Sequence, residues 1–193
     1  MTYLRGKRWR WARWIGVFLI ISGFAIIAFR FPFFNNPDPL YVIQPYSDKA
    51  DRPLVHHAFD KDSFWLTDNP QFSLSHTLDN MNPSQYTQTH AGKLQFKVLH
   101  EKGKTAGFVS YFKKSFYEGR ILFLWVSPDF RGHGYGRILL QYAIDELFKE
   151  GSTHITLVTR VINTWGQKVY KQVGMKETSR DAIYVNYAIE KVV

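Results

Sequence analysis

Residues 126–137 read VSPDFRGHGYGR and place Gly132, Gly134 and Gly136 at alternate positions between Arg131 and Arg137. The apolar run RILFLWV (120–126) leads directly into them, and the helical pattern GRILLQYAIDELFKE (136–150) leads directly out. A nearly continuous apolar strand of this length belongs inside a sheet covered on both faces. A helix that begins just after glycines offers unpaired N–H groups and the positive end of its dipole. Glycines let an anion come close to those groups, and arginines suit phosphate oxygens. The stretch therefore reads as a pyrophosphate cradle between a buried strand and a helix. Its spacing is one residue short of the dinucleotide fingerprint G-x-G-x-x-G, and no G-K-[ST] follows as a P-loop requires.

The flanking sequence supplies a domain around this turn. LQFKVLHE (94–101) alternates, with Leu94, Phe96 and Val98 on one face, and TAGFVSYFKKSF (105–116) alternates after a KGK turn. The helix over 136–150 turns Leu140, Ala143, Ile144 and Leu147 inward and stops at Gly151. HITLVTR (154–160) is a further strand. Asn163 caps a helix running to Val173, stopped by Gly174, and a last pair of strands follows in MKET and AIYVNYAIE. Strands first, then strand–helix–strand–helix–strand, predict an α/β (α+β) fold with a mixed central sheet and flanking helices. LYVIQ (40–44) is a candidate first strand, and Ser47 or Asp48 can cap a helix. The breakers DNP and MNP interrupt the stretch 47–90. His56, His57, Asp60 and Asp62 lack the spacing of a metal site and read as a solvated helix edge, so no metal is expected. The chain has no cysteine, which excludes disulfides, thiolate zinc sites and a cysteine nucleophile.

The formal charge of +9 is concentrated at the N-terminal end. Arg5, Lys7, Arg8, Arg10, Arg13 and Arg30 lie in the first thirty residues, which hold no acid, and the rest of the chain is close to neutral. Charge placed this way is only weak evidence for a nucleic-acid-binding domain, and no nucleic-acid partner is expected. Residues 14–29, WIGVFLIISGFAIIAF, carry no charge, and FPFF follows Arg30. A spanning helix takes roughly 17–25 apolar residues, and an arginine near its end can snorkel to the interface. Trp9, Trp11 and Trp14 suit an aromatic belt. A signal peptide would need a small-residue cleavage site, which is not evident, and a buried soluble helix would show a polar face. The favoured reading is 1–13 as a basic segment, 14–34 as one transmembrane anchor in a lipid bilayer, 35–39 as a linker and 40–193 as the folded domain that carries the glycine turn. The positive-inside rule puts the N-terminus in the cytoplasm. It leaves the side of the 40–193 domain in tension with any cytosolic ligand.

The glycine stretch resembles the signature V-x-P-x-x-[RQ]-x-x-G-x-[GA] of the GNAT N-acetyltransferase superfamily. Val126, Pro128, Arg131, Gly134 and Gly136 occupy its defined positions. The second pattern of that family, N-x-x-[AG]-x-x-[LV]-Y-x-x-x-G-[FM], is met by Asn163, Gly166, Val169, Tyr170, Gly174 and Met175. The resemblance implies a splay between the strand ending at Val126 and the strand 154–160, with acetyl-CoA lying in the opening. Main-chain groups near Trp125 and Val126 would then bind the pantetheine arm. The Val126 N–H would stabilise an oxyanion. The stretch Arg131, Gly132, His133, Gly134, Tyr135, Gly136 and Arg137 would hold the pyrophosphate. Asn163 would help fix the cofactor arm, and Tyr170 would act as the acid toward the leaving thiolate.

Many family members carry a glutamate base four residues before the valine; here that position is Leu122. The base is therefore unassigned. Expected is a membrane-anchored N-acetyltransferase using acetyl-CoA on a primary amine of a small molecule or protein; the alternative is an acyl-CoA-binding module without turnover. A third reading, a basic RNA- or lipid-binding protein, would show no acyl-CoA binding and a steep salt dependence. Phe59, Phe64, Trp65, Asp60, Asp62 and Asp68 are candidates for an aromatic, acidic pocket that would take an ammonium group.

Overall fold

The computed structural model describes residues 41–83 and 91–192. The expected basic segment 1–13, anchor 14–34 and linker 35–39 lie outside the described residues. Among the described residues, no helix is long and apolar enough to cross a membrane.

The chain runs β1 (Tyr41–Pro45), α1 (Asp48–Leu66), α2 (Leu74–Asn80), β2 (Gln95–Glu101), β3 (Lys104–Lys113) and β4 (Glu118–Val126). Next come α3 (Tyr135–Lys149), β5 (His154–Arg160), α4 (Thr164–Gln172), β6 (Lys176–Arg180) and β7 (Tyr184–Glu190). The sheet order is β1-β2-β3-β4-β5-β7-β6, so the apolar strand 120–126 does fall at its centre. All neighbours are antiparallel except β4 and β5.

Each face of the sheet carries its own apolar layer. On one, Leu140, Ala143, Ile144 and Leu147 of α3 pack on Tyr111, Ile121, Ile155 and Tyr187. On the other, Val55, Ala58 and Phe59 of α1 and Leu78 of α2 pack on Phe96, Phe108, Phe123 and Trp125. Full burial of one such side chain is worth about 1.5–3 kcal/mol, so these two layers hold the sheet rigidly between helices. Ser47 does stand at the start of α1; the cap is made in reverse, as the Ser47 N–H donates to the Asp51 carboxylate at 2.8 Å. Asp62 interrupts α1 with φ −117° and ψ 21°, and beyond it the Phe64 carbonyl accepts from Arg160 of β5 at 2.9 Å.

Two irregularities in β4 shape the site. Ser110 pairs with Phe123 and Tyr111 with Ile121, so Leu122 is an extra residue in the ladder. A bulge of this kind sends two consecutive side chains to one face. Leu122 and Phe123 accordingly both pack with the α1 layer. In addition, β4 and β5 pair only at Glu118–His154, Gly119–Ile155 and Arg120–Thr156. Beyond those residues the two parallel strands separate, and β5 pairs only with β7.

Candidate active site

The separation of β4 from β5 leaves one edge of β4 without a ladder partner beyond Arg120. Strand alternation decides which groups it offers. The Ser127 N–H donates to the Ala106 carbonyl at 2.9 Å, and a Cβ on Gly107 would lie 2.5 Å from the Trp125 carbonyl. Trp125 therefore turns its backbone toward β3, and the groups facing the opening belong to Leu124 and Val126. This corrects the expectation that Trp125 offers its main chain to a ligand. Its side chain is buried in the α1 layer, 5.4 Å from the Phe108 ring, and its indole Nε1–H donates to Asp62. The Val126 carbonyl accepts from Arg131 Nε at 3.0 Å.

Downstream, Pro128–Phe130 forms a single 3-10 turn, and α3 starts at Tyr135 with Gly134 as its N-cap. Gly132 and Gly134 have φ of +86° and +83°, which side-chain-bearing residues rarely adopt. No protein acceptor takes the amide N–H groups of Gly132, His133, Gly134, Tyr135 or Gly136 among the described residues, whereas those of Arg137 and Ile138 bond the Gly134 carbonyl. Five open donors at the positive end of a helix fit a pyrophosphate.

The side chains along this turn do other work. The Tyr135 ring is buried between Tyr41 and Phe130, so only its amide faces outward. The His133 ring stacks on Tyr135 and Nδ1 lies 3.2 Å from the Phe130 carbonyl. Arg131 is tied back to the Val126 carbonyl and to Asp62 at 3.0 Å. Arg137 is exposed and lines a shallow groove with Tyr41, Ile138 and Gln141.

On the β5 side, Asn163 caps α4 by accepting from the Gly166 N–H at 3.0 Å, while its Nδ2 donates to Thr159 Oγ1 at 2.9 Å. One Nδ2 hydrogen and one Oδ1 lone pair remain for a ligand. Gly166 is a close-approach position: a Cβ there would sit 2.6 Å from Asn163 Nδ2 and 2.9 Å from the Tyr170 hydroxyl. Tyr170 is only 7% exposed and hydrogen-bonds with Thr159. Burial pushes its phenol above the ordinary value, against the downward pull of Thr159. The group is thus held protonated, as a proton donor must be.

A cavity of about 270 Å³ opens on the α1 face between the separating strands. Arg120 and Leu122 of β4, Arg160 of β5, and Phe64, Trp65 and Asp68 from the end of α1 and its exit line it. The glutamate position of the resemblance, Leu122, is thus aimed into this cavity by the bulge but carries no charge. Glu118 lies at the closed end of the strand pair, held by Lys114 Nζ at 3.0 Å. Glu101 hydrogen-bonds with Tyr135. Among the lining residues Asp68 is the carboxylate, and the Tyr184 hydroxyl donates to it. That bond, then burial, raises the Tyr184 phenol.

The expected acidic, aromatic pocket is corrected accordingly. Phe64, Trp65 and Asp68 reach the cavity, whereas Phe59 is core and Asp62 is spent on Trp125 and Arg131. Sequence reading missed Arg120, Arg160 and Tyr184, because nothing in their local patterns says that three strands and the end of α1 meet there.

A model of the Acetyltransferase (GNAT) family matches residues 53–175. The chain therefore belongs to the GNAT acetyltransferase family. It is 32% identical over 81 residues to the [ribosomal protein bS18]-alanine N-acetyltransferase of Escherichia coli K12, a match covering 42% of this chain and 54% of that enzyme. The chain thus spans about half the length of the curated relatives it matches. The crystal structure of the ribosomal-protein-S18-alanine N-acetyltransferase from E. coli superposes with a TM-score of 0.56 at 22% identity, over 78% of this chain and 93% of that one. The spermidine N-acetyltransferase of Vibrio cholerae, solved with CoA and spermine, gives 0.62 at 16% identity, over 78% and 95%. At these identities the two structures speak for the fold.

Proposed function

We propose that the protein is an N-acetyltransferase that moves an acetyl group from acetyl-CoA to a primary amine. The observation that carries this reading is the parting of β4 from β5 beyond Arg120 and Thr156, next to five open amides at the start of α3. In the proposal, the amides from Gly132 to Gly136 hold the pyrophosphate, and the edge of β4 at Leu124 and Val126 takes the pantetheine arm as an added strand. The Val126 N–H faces the place where negative charge develops on the thioester oxygen. Tyr170 returns a proton to the departing thiolate, and Asn163 and Gly166 position its hydroxyl. Asp68, paired with Tyr184, is the carboxylate placed to draw the proton from the incoming ammonium group.

The matched relatives' names give a protein alanine amine and spermidine as acceptors in those enzymes. For this chain the proposal stays with a small-molecule or protein amine. The reading of an acyl-CoA-binding module without turnover draws on Leu122, where the familiar glutamate is absent. Release of free thiol from acetyl-CoA in the presence of an amine panel separates the two: amine-dependent release supports the enzyme, and tight acetyl-CoA binding with no release supports the module.

The proposal includes a membrane anchor at residues 14–34, supported by the uncharged run 14–29 and its basic, tryptophan-bearing flank. The charge rule places the N-terminus in the cytoplasm and the domain across the bilayer, where it would need an acetyl donor supplied on that side.

A further inference from the structure

The cavity between β4, β5 and the end of α1 is more cationic than the work of binding an ammonium group would ask. Lys114, Arg120 and Arg160 line it, against the single carboxylate Asp68. Lys114 is neutralised by Glu118 at 3.0 Å. The two guanidiniums make no direct ion pair: among the described residues, neither lies within salt-bridge distance of a carboxylate, and Arg120 reaches Glu118 only through the Thr156 hydroxyl, which donates to that carboxylate at 3.3 Å. Arg120 donates to the Thr156 hydroxyl at 3.2 Å and is part-buried. Burial lowers its pKa, with Glu118 nearby working in the other direction. Arg160 donates to the Phe64 carbonyl at 2.9 Å, and its guanidinium lies 4.2 Å from the Phe64 ring centre and 5.7 Å from that of Tyr184. Packing fixes both groups, yet most of their five donors have no protein acceptor. A part-buried charge without a contacting counter-charge is costly, as at Arg120, and a planar donor fork matches a carboxylate or phosphate.

Resting on the acetyltransferase reading, we infer that the acceptor is an amine carrying its own anionic group, a carboxylate or a phosphate, which Arg120 and Arg160 hold. The amine then faces Asp68 and the open half of the strand pair. Along β4, Arg120 lies two residues toward the closed end from Leu122, a step of about 7 Å at strand rise. The anion and the amine are thus held in neighbouring parts of one cavity. A polyamine, with a second cation where the anion belongs, meets like charge instead and is a poor acceptor.

The test uses the full chain in detergent, with four probe amines: O-phosphoethanolamine, an aspartyl dipeptide, ethanolamine and spermidine. The direct affinity for acetyl-CoA is measured in parallel. The expected result is that O-phosphoethanolamine or the dipeptide is acetylated with a kcat/KM at least tenfold above ethanolamine, with spermidine no better than ethanolamine. Which of the two anionic probes leads decides between phosphate and carboxylate. Arg120→Gln is expected to remove that tenfold preference through the KM of the anionic amines, with acetyl-CoA affinity retained. Arg160→Gln repeats the test should the first variant fold poorly. Preference for ethanolamine or spermidine, or a uniform loss for every amine in both folded variants, overturns the inference. So does acetyl-CoA binding with none of the four amines acetylated, an outcome that leaves the donor site standing. Loss of acetyl-CoA binding by the unaltered protein would instead remove the acetyltransferase reading itself.

Discussion

The indole Nε1–H of Trp125 donates to the carboxylate of Asp62 at 2.7 Å, joining the end of strand β4 to the kink in α1 across 63 positions of chain. The same oxygen accepts from Arg131 Nη2 at 3.0 Å, so one carboxylate sets both the end of the central strand and the start of the glycine turn. Asp62→Ala removes the acceptor from a buried indole and the counter-charge from Arg131. Hydrogen bonds to a charged group contribute about 1.5–3 kcal/mol, and a loss of that order is expected in denaturant unfolding. A rise of several-fold in the acetyl-CoA dissociation constant should accompany it. Trp125→Phe, which spares the Arg131 contact, should lose stability with a smaller change in affinity.

Gly136 separates fold from ligand more cleanly than its neighbours. Gly134 sits at φ +83°, where any side chain strains the backbone, so a substitution there mixes two effects. A Cβ on Gly136 would meet only Val126 Cγ2, at 3.7 Å, an ordinary contact. Alanine also favours helix by up to about 1 kcal/mol over glycine. Gly136→Ala is therefore expected to hold or raise the melting temperature while acetyl-CoA affinity falls tenfold or more, because the methyl group stands in the path of the phosphates. Calorimetry on a folded variant with unchanged affinity would remove the cradle.

Tyr170→Phe is expected to lower kcat about 10²-fold with little change in acetyl-CoA affinity, the scale of positioned acid catalysis. The pH dependence follows from the sign of the shift. Burial raises the phenol above 10.0, so the donor form is present throughout the neutral range and is lost only at a pH above that value. An alkaline limb of kcat well below pH 10, still present in Tyr170→Phe, would belong to another group. Gly166→Ala should mimic the loss in part by displacing Asn163 and the Tyr170 hydroxyl.

The proposed anchor at 14–34 is tested by fractionation and by protease protection. Full-length protein should sediment with membranes and need detergent for release. A C-terminal tag in sealed vesicles of known orientation should be cut only from the non-cytoplasmic face. Cutting only from the cytoplasmic face would overturn the charge-rule orientation, and recovery in the aqueous phase without detergent would remove the anchor.

Much of this was legible in the chain because the signals are local. The alternation in 94–101, the breaker after 150, Asn163 as a cap and the glycines before Tyr135 each act within a few residues, and the structure returns each element close to its expected bounds. The order β5-β7-β6 was not legible, since it depends on the last strand inserting between two earlier ones. The bulge at Leu122 left no mark either: an apolar run reads the same whether or not one residue is unpaired. The cavity between β4, β5 and the end of α1 was misjudged for a related reason. Asp60, Asp62 and Asp68 look alike in sequence, yet one is exposed, one is bound by Trp125 and Arg131, and one faces the cavity beside two arginines from distant strands.

Amide chemical shifts of the isotope-labelled protein, recorded as acetyl-CoA is added, test the donor site most directly. The largest changes are expected at Gly132, His133, Gly134, Tyr135 and Gly136, with a second set at Leu124 and Val126 on the open edge of β4. Saturable changes confined to other surfaces, such as the groove by Arg137 and Gln141, or no change at all, would contradict a donor held between β4 and β5.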